Sequence, residues 1–159
     1  MLSVSDILPP EHIFTGAEWR SKKRVFEQAS IAFENAGGAA RDKIFAALMQ
    51  RERLGSTYIG NGGAIPHGRL EGAKSAMCAL ALLQQPIQYG IIGEGGGEVR
   101  ALFFLIAPAD ADETHLRLLG RFSEMLSDAS LMESLHGCAD GAAAAALISR
   151  WESSRGAAD

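Results

Sequence analysis

The run Leu102-Phe103-Phe104-Leu105-Ile106, set inside Val99 to Ala107 and stopped by Pro108, constrains this chain more than any other stretch. Consecutive large apolar residues, aromatic and branched, read as a strand. A second run, Ala76-Met77-Cys78-Ala79-Leu80-Ala81-Leu82-Leu83, reads as a strand buried on both faces. Its Ala, Leu and Met content leaves a short buried helix open as the alternative. Pro86 is expected to close that strand, with Ile87-Gln88-Tyr89 as a separate edge strand.

Helical patterns surround these runs. Val25, Ala29, Ala32 and Phe33 fall at helical spacing between Ser21 and Ala36, and Asn35-Ala36-Gly37-Gly38 ends the segment. A second helix is expected from about Ala39 to Arg53, with Ile44, Ala47, Leu48 and Arg51 on or beside one face. Asp112 or Thr114 is expected to cap a helix through Met125, followed by helices over about Ser130 to His136 and Asp140 to Trp151. Helices around an apolar sheet imply a three-layer α/β domain with a central mixed β-sheet.

Composition narrows the class. The chain has 159 residues, 47% hydrophobic and 21% charged, which suits one domain over residues 1–152 with a flexible tail from 153 to 159. A formal net charge of -4 argues against nucleic acid as a partner. No run is long enough to insert in a membrane, and Met1-Leu2-Ser3-Val4-Ser5-Asp6 lacks the pattern of a signal peptide, so a cytoplasmic protein is expected. Cys78 and Cys138 lack metal-ligand spacing and read as buried free thiols.

The chemistry concentrates in Leu54-Gly55-Ser56-Thr57-Tyr58-Ile59-Gly60-Asn61-Gly62-Gly63-Ala64-Ile65-Pro66-His67-Gly68. Gly60-Asn61-Gly62 predicts a turn between two short strands. Pro66 and Gly68 bracket His67, one fixing its own φ and the other leaving room beside the ring. This setting favours a presented imidazole able to carry a group covalently over a histidine that merely caps a strand end.

His115 falls in the first turn of the helix after the strong strand, where α/β folds gather ligands, although a surface histidine beside Glu113 is the plainer reading of these residues alone. Arg51 and Arg53 end the second helix and can clamp a phosphate or complement the helix dipole. Ser56, Thr57, Asn61 and Gly68 are candidate phosphate contacts, the first three also ordinary turn formers. The loop lacks the Lys-Ser/Thr end of a P-loop, and Gly93 to Gly97 lacks the dinucleotide fingerprint. His67 and His115 have no third ligand placed by spacing, so no metal is assigned. Ser21-Lys22-Lys23-Arg24 reads as a solvated basic face or a patch for an acidic partner.

These residues resemble the enzyme IIA domains of the bacterial phosphoenolpyruvate phosphotransferase system, in the fructose/mannitol-type superfamily and its nitrogen-regulatory branch. The resemblance rests on Leu54-Gly55-Ser56-Thr57, Gly60-Asn61-Gly62 and Ala64-Ile65-Pro66-His67-Gly68, with Ser21-Lys22-Lys23-Arg24, Arg51-Glu52, Pro86-Ile87, Ala107-Pro108-Ala109-Asp110 and Thr114-His115-Leu116 in the same order. It covers about residues 3 to 150. It implies a phosphotransferase component that receives a phosphoryl group on His67 from an HPr-like carrier, with His115 as the second active-site histidine, Arg51 as the arginine before the loop, and no cofactor. It further implies regulatory protein targets such as potassium transporters or sensor kinases. A transport component passing phosphate to a sugar-specific IIB domain, or a binding module that is not phosphorylated, are the alternatives. Tyr58 stands where the family usually has glycine, Gly63 where it has a branched aliphatic, and Gly93 to Glu98 departs from its usual loop.

Overall fold

Alternation along two long central strands decides the architecture. The computed structural model describes residues 3–37, 39–91, 94–111 and 113–155. Strand β5 (Met77–Tyr89) and strand β6 (Gly97–Pro108) pair antiparallel, with Cys78 opposite Leu105 and Leu80 opposite Phe103. Cys78, Leu80, Leu82, Ala101, Phe103 and Leu105 face one core; Ala79, Ala81, Leu83, Leu102, Phe104 and Ile106 face the other. Residues 77–83 of β5 and 101–107 of β6 are apolar at every position because each face is covered there.

The first core is closed by α1 (Val4–Ile7), α4 (Glu113–Ser127), α5 (Ala129–His136) and α6 (Gly141–Arg155), through Phe122, Leu135 and Ile148. Phe103 stacks on Phe122 with ring centroids 4.7 Å apart. The second is closed by α2 (Lys22–Asn35) and α3 (Arg41–Arg53), through Phe26, Phe33, Ile44 and Leu48. The α/β reading and the three layers therefore hold.

Parallel and antiparallel pairs mix in the sheet. Strand β1 (Ile13–Ala17) runs parallel to β5, while β3 (Gly63–Ala64) and β4 (His67–Leu70) run parallel to β6, and β2 (Tyr58–Gly60) returns antiparallel to β3. The expected hairpin is present: Asn61 and Gly62 both have positive φ, 53° and 73°, which Asn and Gly tolerate best.

Several local expectations need correction. Pro86 does not close β5. The strand continues to Tyr89 across an irregularity in which five residues of β5 advance, from Leu82 to Ile87, against two of β6. A proline is tolerated there because the bulged stretch asks for no ladder donor. Strand β1 escapes sequence reading because it is short and contains Gly16 at φ 57°. Helix α4 begins at Glu113, so Thr114 lies inside it; Asp112, the other expected cap, falls outside the described residues. Ser153 to Arg155 belong to α6, so the expected tail begins within a helix, and 156–159 lie outside the described residues. Of the expected loop from Gly93 to Glu98, Glu94 and Gly95 are turn, Gly96 makes a bridge, Gly97 and Glu98 already belong to β6, and Gly93 lies outside the described residues. Cys78 is buried as expected, whereas Cys138 is partly exposed.

Gly63 pairs with Ala101, and Leu126 from α4 fills the space beside it, 3.1 Å from where a Cβ would stand. Tyr58 packs its phenol over Gly97, where an added Cβ would meet the ring at 2.8 Å. No helix among the described residues is long and apolar enough to cross a membrane.

Candidate functional site

Pro66 has no N–H to give the ladder, so it sits just before β4, and its carbonyl accepts from Leu105 N at 3.0 Å. From there His67 pairs with Leu105 and Gly68 with Ile106. Gly68 lets α3 come close: a Cβ on it would lie 3.1 Å from the backbone carbon and oxygen of Ala47. That approach sets the end of α3, with Arg51, beside His67. The first turn of α4 brings His115 to the same place.

The result is an open cleft of about 430 Å³ whose walls include Arg51, His67, Gly68, Arg69 and His115, with Leu54, Leu116 and Leu119 as apolar rim. Leu54 and Leu116 are among the most exposed large apolar side chains described. The rings of His67 and His115 face each other at 5.2 Å between centroids.

His67 Nδ1 lies 2.8 Å from the Ile65 carbonyl oxygen. A carbonyl only accepts, so Nδ1 carries the proton and Nε2 keeps its lone pair. Burial holds His67 below the usual imidazole range; the Ile65 bond opposes this, and the Arg51 charge adds to it. His115 is buried and pushed down to about 4, first by burial, then by His67 and Arg69. Both rings are thus neutral at neutral pH. The Nδ1 of His115 is buried with no hydrogen-bond partner among the described residues, an unmet polar atom inside the cleft wall. Arg51 Nη1 donates to the Gly55 carbonyl at 2.8 Å, so it both closes the turn after α3 and lines the cleft.

The structure does not bring every sequence candidate into the cleft. Ser56 Oγ accepts from Tyr58 N at 3.2 Å and acts as a turn former. Thr57 is buried, its hydroxyl bonded to the Glu52 carboxylate and lying 2.7 Å from the Tyr89 hydroxyl. Asn61 forms the hairpin turn beyond Gly63. Gly63 and His67 pair with Ala101 and Leu105 of β6, a separation of roughly 13 Å at about 3.3 Å per residue. These three are corrections to the phosphate-contact reading; Gly68 does line the cleft. Arg53 is not among the lining residues. Tyr58, packed on Gly97, is not at the cleft either.

Two residues were missed from sequence. Arg69 lies two positions after His67 on β4 and shares its face, a signal readable from strand alternation. Glu52 is buried beneath the loop, where its carboxylate accepts from Lys22 Nζ at 2.8 Å and holds Thr57. Lys22 also lies over the Tyr89 ring at 4.1 Å, so this member of the basic cluster is half-buried and turned inward onto Glu52. No group of three His, Cys, Asp or Glu is placed to hold a metal among the described residues.

Residues 6–151 match the family described as phosphoenolpyruvate-dependent sugar phosphotransferase system, EIIA 2. A nitrogen regulatory protein of Pseudomonas aeruginosa is 38% identical over 136 residues, covering 85% of this chain and 87% of its own. One from Bradyrhizobium diazoefficiens is 31% identical over 139 residues, covering 87% and 90%. The crystal structure of nitrogen regulatory protein IIA-Ntr from Neisseria meningitidis superposes with a TM-score of 0.83 at 34% identity, over 91% of this chain and 98% of that one. The mannitol IIA of Escherichia coli shares the fold, with a TM-score of 0.71 at 21% identity over 88% of this chain and 97% of its own.

Proposed function

This chain belongs to the EIIA type-2 family of the phosphoenolpyruvate-dependent sugar phosphotransferase system, and from that premise we propose that it accepts a phosphoryl group on His67 Nε2. Its likeness to nitrogen regulatory proteins along the domain places it in the nitrogen branch of that system, as a phosphocarrier. The observation that carries the His67 reading is the Nδ1 bond to the Ile65 carbonyl. It fixes the tautomer and ring plane and leaves one nucleophilic nitrogen in a ring that lines the cleft.

The step needs no co-reactant. The N–P bond of a phosphohistidine on an HPr-like carrier, its ring protonated on the other nitrogen, breaks as the Nε2–P bond of His67 forms; the electron pair stays on the donor nitrogen, so the donor leaves as a neutral imidazole. His67 keeps its Nδ1 proton throughout. Arg51 supplies a guanidinium for the phosphoryl oxygens, and neutral His115 supplies a ring N–H. Because one phosphohistidine replaces another, catalysis reduces to positioning and charge stabilisation.

The modification then works as a binding switch. It places a phosphoryl group of roughly 1.5 to 2 negative charges, partly offset by the ring that keeps its Nδ1 proton, in a cleft rimmed by exposed Leu54 and Leu116. A regulatory target that covers this rim without offering a cation must desolvate that charge, so it prefers the unmodified protein. Intact mass after incubation with phosphoenolpyruvate, enzyme I and the HPr-like carrier tests the first claim: about 80 Da, the mass of one phosphoryl group, is gained and is lost again in acid. Titrating a target such as a sensor kinase or a potassium transporter with both forms tests the second; equal affinities would remove the switch.

A further inference from the structure

We propose that Arg69 is a second guanidinium ligand of the phosphoryl group on His67, and that it takes hold of this group by releasing the Ala109 carbonyl. The proposal rests on His67 as the phosphoacceptor and adds to that reading a residue and a consequence.

Geometry comes first. Residues two apart on a strand share a face, and His67 and Arg69 in β4 both line the cleft with His115. The Arg69 side chain is exposed. Its Nη1 donates to the Ala109 carbonyl at 3.2 Å, and no carboxylate pairs with it among the described residues. A guanidinium carries five N–H donors in a planar fork. Here one is spent on a neutral acceptor at the long end of the hydrogen-bond range.

Charge gives a second, independent line. Lys22, Arg41 and Arg155 are each matched by a carboxylate, Glu52, Glu34 and Asp128. Arg51 and Arg69 reach the cleft from different elements, and each bonds only a backbone carbonyl, Gly55 and Ala109. Two guanidinium charges beside two neutral imidazoles make a positive field, and no carboxylate lines the cleft among the described residues; the buried Glu52, already held by Lys22, offsets it only in part. The Arg69 charge also bears on both rings, discouraging protonation of His67 and of His115. A phosphoryl group brings three strong acceptor oxygens and the missing negative charge.

The consequence follows from where Ala109 sits. It comes directly after Pro108, the last residue of β6, on the path to α4 and His115. Arg69 ties β4 to this segment, 40 residues further along the chain. A charge-assisted bond to phosphoryl oxygen is roughly twice as strong as a neutral one. Exchanging one for the other unties Ala109 from β4, so the chemical state of His67 is reported to the entry of α4.

Arg69→Gln and Arg69→Lys test this in the full chain, and the exposed position lets both fold. With a phosphorylated HPr-like carrier as donor, Arg69→Gln should receive phosphate about tenfold or more slowly, the loss expected for one charged hydrogen bond. The ³¹P resonance of its phosphohistidine should titrate at higher pH than in wild type, because a neighbouring cation favours the deprotonated form. Arg69→Lys should recover part of both effects. Phosphorylation of wild type should shift the amides of Ala109 and Asp110, and Arg69→Gln should show those shifts already without phosphate. An Arg69→Gln variant that matches wild type in transfer rate and ³¹P titration overturns the ligand role. Unmoved amides at 109 and 110 overturn the exchange. Wild type that takes no phosphate, or His67→Ala that still takes one, removes the phosphoacceptor reading itself and this proposal with it.

Discussion

His67 and His115, forty-eight positions apart in the chain, face each other with ring centroids 5.2 Å apart and planes inclined at 59°. One comes from a strand and the other from the first turn of a helix, and β6 connects the two elements. The pair is neutral at neutral pH, and only His67 has its Nδ1 committed to a carbonyl.

This asymmetry assigns separate roles. His67→Ala should abolish phosphorylation. His115→Ala should leave His67 phosphorylated but slow transfer by about 100 to 1000-fold, the range for a single donor to a developing charge. Arg51→Gln should behave likewise. Single-turnover transfer from the carrier, followed by intact mass, checks all three. Unchanged rates for His115→Ala and Arg51→Gln would make both residues structural.

The depressed His115 also predicts a pH dependence of stability. Its folded value, about 4, lies below the ordinary histidine value of 6.5, so the unfolded chain binds the proton more readily between them. The contribution is complete above about pH 6.5 and is lost as pH falls toward 4. His136 is pushed down to about 4 as well, by burial and Arg100, so the comparison must be between wild type and His115→Asn. Urea unfolding at pH 7 and pH 4.5 should show a smaller loss in the variant. Equal losses would remove His115 from the acid response.

The Lys22–Glu52 pair should matter more than a surface pair does. Glu52 is buried and bonded to Lys22 and to Thr57, so removing the ammonium leaves a buried carboxylate short of its cation. Lys22→Met should cost about 2 to 4 kcal/mol, somewhat less than a fully enclosed pair because Lys22 reaches solvent. The double variant Lys22→Met, Glu52→Gln should lose less than the two single losses added together. Denaturant midpoints at constant slope measure this, and additive losses would mean that the two residues act independently.

Gly68→Ala should couple stability to function. The new methyl would press on Ala47 backbone at 3.1 Å, and backbone cannot swing aside as a flexible side chain does. Overpacking of this kind costs about 1 to 3 kcal/mol. Relief requires α3 to move away from β4, carrying Arg51 from His67. The variant should therefore transfer phosphate more slowly even where it is fully folded. Wild-type rates in folded Gly68→Ala would show that the close approach serves packing alone.

Sequence alone was enough for the layered α/β class and for singling out the segment that sets His67 in the cleft wall. Continuous apolar runs such as Leu102 to Ile106 can be satisfied only by cover on both faces, and Ile65-Pro66-His67-Gly68 is local chemistry written in consecutive residues. The Asn61-Gly62 turn was legible for the same reason, since positive φ is a property of the residues themselves. What the tertiary structure decided was which polar groups meet. Thr57 turned inward because Glu52, Lys22 and Tyr89 converge from three other elements, and a buried carboxylate takes whatever donors it can reach. Pro86 stayed within a strand because β6 tolerated a bulge opposite it. Arg69 entered the cleft because β4 pairs with β6 in one register and so faces the first turn of α4. Register and helix placement are set by packing over the whole sheet, and no window of neighbouring residues contains that information.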